Sequence, residues 1–246
     1  MTDLLLFQLR RVGRNKEYVF FTVLLPSLFT IFFTKIFGAQ APPGDYQDLA
    51  GSTTISMMGY GAIGAALGAT IRMAFDRSSG WLRQLRVLPV PPAATLTVDV
   101  LVGATLVLPS LVVVALVGRF VSDVQFSLGT WLALIGSMWA ASIVFVALGV
   151  AVGLALDAQA AGAAIGIIGT VLAALGGLWV PLEMFPDGMV GLAHVMPSYW
   201  YAELGRDVAA GTVAVTPVLV LAGYGVLFAV AALAVARRRP LHAVAG

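Results

Sequence analysis

Between Phe75 and Pro92 the chain reads FDRSSGWLRQLRVLPVPP, and here its side chains are best arranged for chemistry. The chemistry on offer is recognition. An Asp76-Arg77 pair precedes Gly80-Trp81-Leu82, then Leu85 and Pro89, with Pro91 and Pro92 behind them. A helix from about Ser78 to Leu88 would carry Leu82, Leu85 and Leu88 on one side and Arg83, Gln84 and Arg86 elsewhere. The prolines end it and stiffen the return to the membrane. Such a helix can plug into a groove on a partner, or it can sit on anionic headgroups through its arginines. Residue types alone leave both readings open.

Catalysis finds little to work with. The chain has two histidines, His194 and His242, and no cysteine, which excludes a disulfide framework and a thiolate metal site. Asp76 with Asp99, or Glu183 with Asp187, form carboxylate pairs with no accompanying nucleophile or metal signature. A phosphate loop needs Gly-Lys-Ser/Thr after a glycine-rich turn. The only lysines are Lys16 and Lys35, and neither follows a glycine. No catalytic, cofactor-binding or metal-ligating residue is therefore expected, and no nucleic-acid partner. If ATP drives this protein, another polypeptide binds it.

The elements that hold the loop are membrane spans. Hydrophobic residues make up 60% of the 246, charged ones 11%, and the mean hydropathy is +0.96, far from the soluble average of about 25% charged. Six runs reach the roughly 20 residues that a crossing helix needs. They are Tyr18–Phe37, Ala50–Phe75, Ala94–Gly118, Leu128–Leu156, Ala160–Val180 and Thr216–Ala236. Backbone cannot stay unpaired in lipid, so all six must be helical. The first run is too long for the apolar core of a cleaved signal, and is expected to remain as a span. No soluble domain fits, so residues 1–246 form a single transmembrane domain.

Charge sets the orientation. Arg10, Arg11, Arg14, Lys16, Arg72, Arg77, Arg83, Arg86, Arg237, Arg238 and Arg239 share one side; only Lys35, Arg119 and Arg206 lie opposite. The positive-inside rule puts both termini in the cytoplasm. Residues 1–17 carry Leu5, Leu9 and Val12 at helical spacing with basic residues at the end, which suits an amphipathic helix in the inner interface. Ionisable residues within or just beside the runs (Lys35, Arg72, Asp99, Asp157) keep to their ends, which argues against an ion-coupled carrier. Pro26 and Pro109 should kink spans one and three. Gly64 with Gly68, Gly149 with Gly153, and Gly162 with Gly166 stand four apart, as close helix contacts require.

In the segment 181–214, before the last span, the stretch Met184–Met196 is too short and too proline-bounded to cross. With Trp179, Tyr199, Trp200 and Tyr201 as interfacial anchors it reads as external re-entrant or interfacial helices.

The loop 76–92 resembles the coupling-helix region of ABC-2-type transporter permeases, in which an acidic-Arg pair precedes Gly-Thr-Leu-x-x-Leu-x-x-x-Pro. Asp76, Arg77, Gly80, Leu82, Leu85 and Pro89 match it. Trp81 replaces the usual small hydroxyl residue, and Ser78 and Ser79 stand where a further acid is common. Gly177, Pro181, Pro186, Pro197, Tyr199 and Arg206 resemble the same family's signature before the last span. The resemblance implies an all-α permease of six spans with a cytoplasmic coupling helix between spans two and three, located in a bacterial-type cell (inner) membrane. It implies a second permease copy or homologue, and two cytoplasmic P-loop ATPase subunits that bind ATP and Mg. It also implies an export pathway past spans one, two and five, with Phe29, Phe33, Met57, Met58, Tyr60 and Leu172 as candidate lining. An apolar, aromatic lining favours a hydrophobic or amphiphilic cargo such as a drug, antibiotic or lipid. The alternatives are a polysaccharide or glycolipid exporter, and an ATP-independent carrier or channel.

Overall fold

The computed structural model describes residues 14–39, 42, 44–78, 92–212 and 215–238. These are predominantly helical, with no strand among them. Most of the expected N-terminal interfacial helix, and Gly80, Leu82, Leu85 and Pro89 of the loop, lie outside the described residues; Asp76 and Arg77 belong to the last turn of the second helix.

Six helical stretches are long and apolar enough to cross a membrane, and each coincides with an expected run to within a few residues. The elements in chain order are α1 (Lys16–Gly38), α2 (Tyr46–Ser78), α3 (Pro92–Phe120), α4 (Leu128–Ala141), α5 (Ile143–Ala155), α6 (Ala158–Leu175), α7 (Asp187–Val195), α8 (Pro197–Ala209) and α9 (Val215–Arg238). The starts are set by polar caps. The side chains of Asn15, Ser127 and Asp157 accept from the backbone N–H of Tyr18, Thr130 and Ala160 at 3.1, 3.1 and 2.9 Å. Asp157, one of the few charges beside an apolar run, is thus a helix cap.

α2 is the central post, packed by α1, α3, α5 and α6. Its Ile55, Met57, Met58, Ile63 and Leu67 are fully buried, and Ala62, Ala65 and Ala66 keep its flanks narrow. α9 lies on α5 and α8 and leaves Leu219, Val226, Leu227, Val230 and Leu233 exposed. In a membrane chain that apolar surface faces lipid.

α4 and α5 form one span, Leu128–Ala155, interrupted at Ser142. No proline or glycine occupies that break. Ser142 Oγ donates to Trp139 O at 2.6 Å, a local competition with the helix ladder that bends helices. From α8, fully buried Tyr201 donates to Met138 O at 2.7 Å just before the break, and its ring meets Phe145 edge-on at 5.1 Å. Burial pushes the Tyr201 phenol far above its ordinary value, so it remains a donor at any physiological pH. Tyr201→Phe is expected to lower stability by about 1 kcal/mol, since Met138 O keeps the Ser142 N–H as a second donor. A thermal unfolding scan in detergent checks this; an unchanged Tm would mean that ring packing alone ties α8 to the bundle.

Pro26 shapes α1. It has no N–H to give the carbonyl of Thr22, and a wider π-type turn runs over Phe20–Leu24 just before it. The Thr22 carbonyl accepts instead from Ser110 Oγ of α3 at 2.6 Å. Gly61 of α2 stands at this junction: a Cβ there would lie 2.2 Å from Ser110 Oγ, 3.0 Å from Thr22 O and 3.1 Å from Pro26 Cγ. Among the glycine pairs expected to mediate contacts, Gly68 meets the Tyr18 ring and Gly149 meets Thr70, while Gly162 and Gly166 have nothing within 4 Å. Close packing therefore accounts for Gly68 and Gly149 but not for Gly162 and Gly166.

Candidate functional site

Aromatic side chains from three stretches of sequence meet along α1 and α2, from Phe37 near the end of α1 inward to Phe29 and Tyr60. Along α1, Phe29, Phe33 and Phe37 follow one another at helical spacing, with ring centroids 5.4 and 5.6 Å apart. Tyr60 of α2 stacks on Phe29 at 6.2 Å. Trp179, from the irregular stretch after α6, meets Tyr60 at 5.6 Å and Phe29 at 6.4 Å, both edge-on. The result is a column of five rings without a charge in it.

Trp179 reaches the column because the chain turns sharply at Gly177, whose φ of +70° is strained for any residue with a Cβ. Ser198 Oγ of α8 donates to Leu172 O at 2.6 Å and ties α8 to the end of α6. Three of the expected prolines start helical turns in this segment. Pro181 precedes the 3-10 turn Leu182–Met184, Pro186 precedes α7, and Pro197 is the first residue of α8.

Beside the column lies a cavity of about 330 Å3. Phe37 and Trp179 belong to both. Its other walls are Ser52, Thr53 and Ser56 from α2, Glu183 from the irregular stretch, and Tyr199, Glu203 and Arg206 from α8. Arg206 grips Glu203 at 2.8 Å, three residues back on the same helix face, and lies over the Tyr199 ring at 5.9 Å. Burial raises the Tyr199 phenol above its ordinary value; Glu203 adds to this, Arg206 opposes it, and Asp207 and Glu183 add more. The Asp207 carboxyl is likewise raised, by burial and then by Glu203 against the pull of Arg206. The cavity is thus rimmed by more carboxylate than guanidinium.

No group of His, Asp or Glu side chains that could hold a metal ion is assembled among the described residues. The region from Gln40 into α9 supplies the comparison that decides the class: residues 40–234 match the family model described as ABC-2 family transporter protein. The chain belongs to the ABC-2 family of transporter proteins. It is also 28% identical over 225 residues, covering 90% of both chains, to the protein named "Putative transport permease YvfS" of Bacillus subtilis (strain 168). As an ABC-2 permease it is the multi-pass membrane subunit of an ABC transporter, and the family implies an ABC ATPase partner.

Within this ABC-2 permease the candidate lining residues divide. Phe29, Phe33 and Tyr60 are half-buried and adjoin one another in the column. Met57 and Met58 are fully buried and Leu172 is 5% exposed, so these three sit inside the subunit's own core. Sequence reasoning missed Ser52, Thr53, Ser56 and the Glu203–Arg206 pair. The one available signal was the run Ser52-Thr53-Thr54-Ile55-Ser56, four hydroxyls between apolar neighbours.

Proposed function

We propose that this ABC-2 permease moves a hydrophobic or amphiphilic substrate, such as a drug, an antibiotic or a lipid-like molecule, outward across a bacterial-type cell membrane. A separate pair of cytoplasmic P-loop ATPases, binding ATP and Mg, drives it. The observation that carries this reading is the uncharged column Phe37–Phe33–Phe29–Tyr60–Trp179. Rings of this kind solvate an apolar body and offer no counter-charge to an ion or a charged polymer. Two permease copies, or one with a related chain, would face each other and enclose the pathway, with Phe29, Phe33 and Tyr60 at its wall and Met57, Met58 and Leu172 supporting it from behind. ATP-driven closure of the ATPases would act on the loop at Asp76–Pro89 and on the N-terminal segment. The excess of basic residues at the ends of the spans supports a cytoplasmic side for this loop and both termini. Pro181–Ala209, with Pro186, Pro197 and Tyr199, would then form external re-entrant helices.

Affinity purification of the tagged chain from its native membrane tests the reading. A span-free P-loop ATPase should co-purify, and the complex in sealed vesicles should move a fluorescent amphiphile only when ATP is supplied. An amphiphile that moves without any ATPase or nucleotide would establish the carrier reading instead.

A further inference from the structure

Hydroxyl groups in the helices of this protein habitually close onto their own backbone. Thr22, Ser27, Thr30 and Thr54 all donate to the carbonyl four residues back, at 2.7 to 2.8 Å. Ser52, Thr53 and Ser56 do not. None of the three has a hydrogen-bond partner among the described residues, although Thr53 and Ser56 are only 8% and 6% exposed and all three line the cavity. On the same cavity, the Trp179 indole Nε1 is buried and also without a partner. The Trp179 N–H, buried without a partner, costs free energy unless something supplies its bond.

We propose that this cavity is a binding site for the uncharged, oxygen-rich headgroup of an amphiphile. This deepens the export reading and rests on it. An indole N–H only donates, so its partner must be an acceptor oxygen; hydroxyls give and take, and the carboxylate of Glu183 only accepts. A headgroup carrying hydroxyl, ether or carbonyl oxygens satisfies all of them. An anionic headgroup meets the Glu183 and Glu203 carboxylates, and the one guanidinium, Arg206, is already held by Glu203 at 2.8 Å. A cationic headgroup leaves the indole N–H and any hydroxyl protons unmatched. Trp179 and Phe37 also belong to the aromatic column, so a tail can continue along Phe33 and Phe29 while the headgroup stays at the hydroxyls.

The test is equilibrium binding of hexyl β-glucoside to the full-length permease in lipid nanodiscs, without nucleotide, beside hexyl phosphate and hexyltrimethylammonium. The glucoside should bind saturably and at least about ten-fold tighter than either ion. Ser56→Ala and Trp179→Phe should each weaken it about three- to ten-fold, the range expected for one lost hydrogen bond. Ser137→Ala should change nothing, because that hydroxyl is bonded to Leu134 O away from the cavity. Thr53→Val, which keeps the shape, replaces any variant that fails to fold. Absence of saturable glucoside binding, equal or tighter binding of an ion, or full affinity in all the cavity variants overturns the proposal. Failure here with ATP-driven amphiphile movement intact removes only the headgroup site; loss of that movement removes the export reading itself.

Discussion

Replacing Leu82 and Leu85 together by aspartate is expected to cut association with the ATPase by at least about a hundred-fold and to abolish stimulated ATP hydrolysis, while membrane insertion stays intact. The cause is local. The helix expected over about Ser78–Leu88 would set the two leucines three apart on one face, with Pro89 ending it. Burying a leucine in a partner's groove contributes about 1.5–3 kcal/mol, and central apolar anchors carry most of an interface's energy. An aspartate at each place forfeits that burial and adds a carboxylate to be desolvated. Insertion depends on the flanking spans, which are untouched. Co-purification and ATPase rates of the double variant measure the effect. Undiminished association would mean that the loop only sits on headgroups. In that case an Arg83→Gln, Arg86→Gln variant should release it instead, with a strong salt dependence.

Gly61→Ala is the second large effect, expected to destabilise the permease by about 1–3 kcal/mol. The new methyl would stand 2.2 Å from Ser110 Oγ and 3.0 Å from the Thr22 carbonyl oxygen. Two escapes exist and both cost. If the Ser110 side chain rotates away, Thr22 O loses the donor that replaces the one Pro26 cannot supply, a loss of about 1–3 kcal/mol. If the helices part instead, overpacking strain of about 1–3 kcal/mol spreads through α1, α2 and α3. Ser110→Ala removes both the clashing oxygen and the bond. The double variant should therefore be clearly less destabilised than the sum of the two singles, as coupled neighbours are. Unfolding scans of the three proteins in detergent give the answer; strictly additive losses would mean that the three-helix junction is not the source of the effect.

How far the sequence reaches differs from one part of the molecule to the next. The six spans were legible to within a few residues, whereas the caps Asn15, Ser127 and Asp157 emerged only from the structure. The break at Ser142 was not legible, because serine bends a helix only through a bond whose partner the sequence does not announce. The site was partly legible. Phe29, Phe33 and Tyr60 stood out as aromatics, yet Met57 and Met58, a turn or less from Tyr60 on the same helix, turn into the core. Nothing in the run distinguishes the two sides. Ser52, Thr53 and Ser56 belonged to a readable run of hydroxyls whose partner wall, Glu203 and Arg206, comes from a helix far along the chain.

By itself the sequence determined the number of helices able to cross, and its eleven basic residues against three set the expectation of sidedness. Those properties come from hydrophobic length and charge position, which belong to short segments. Tertiary structure alone decided which face of each span looks inward, which carbonyl Ser110 repairs, and where Trp179 meets Phe29 and Tyr60. Lipid is as apolar as a protein core, so an apolar helix carries no amphipathic mark of its buried side. Only the neighbours it packs against can choose it.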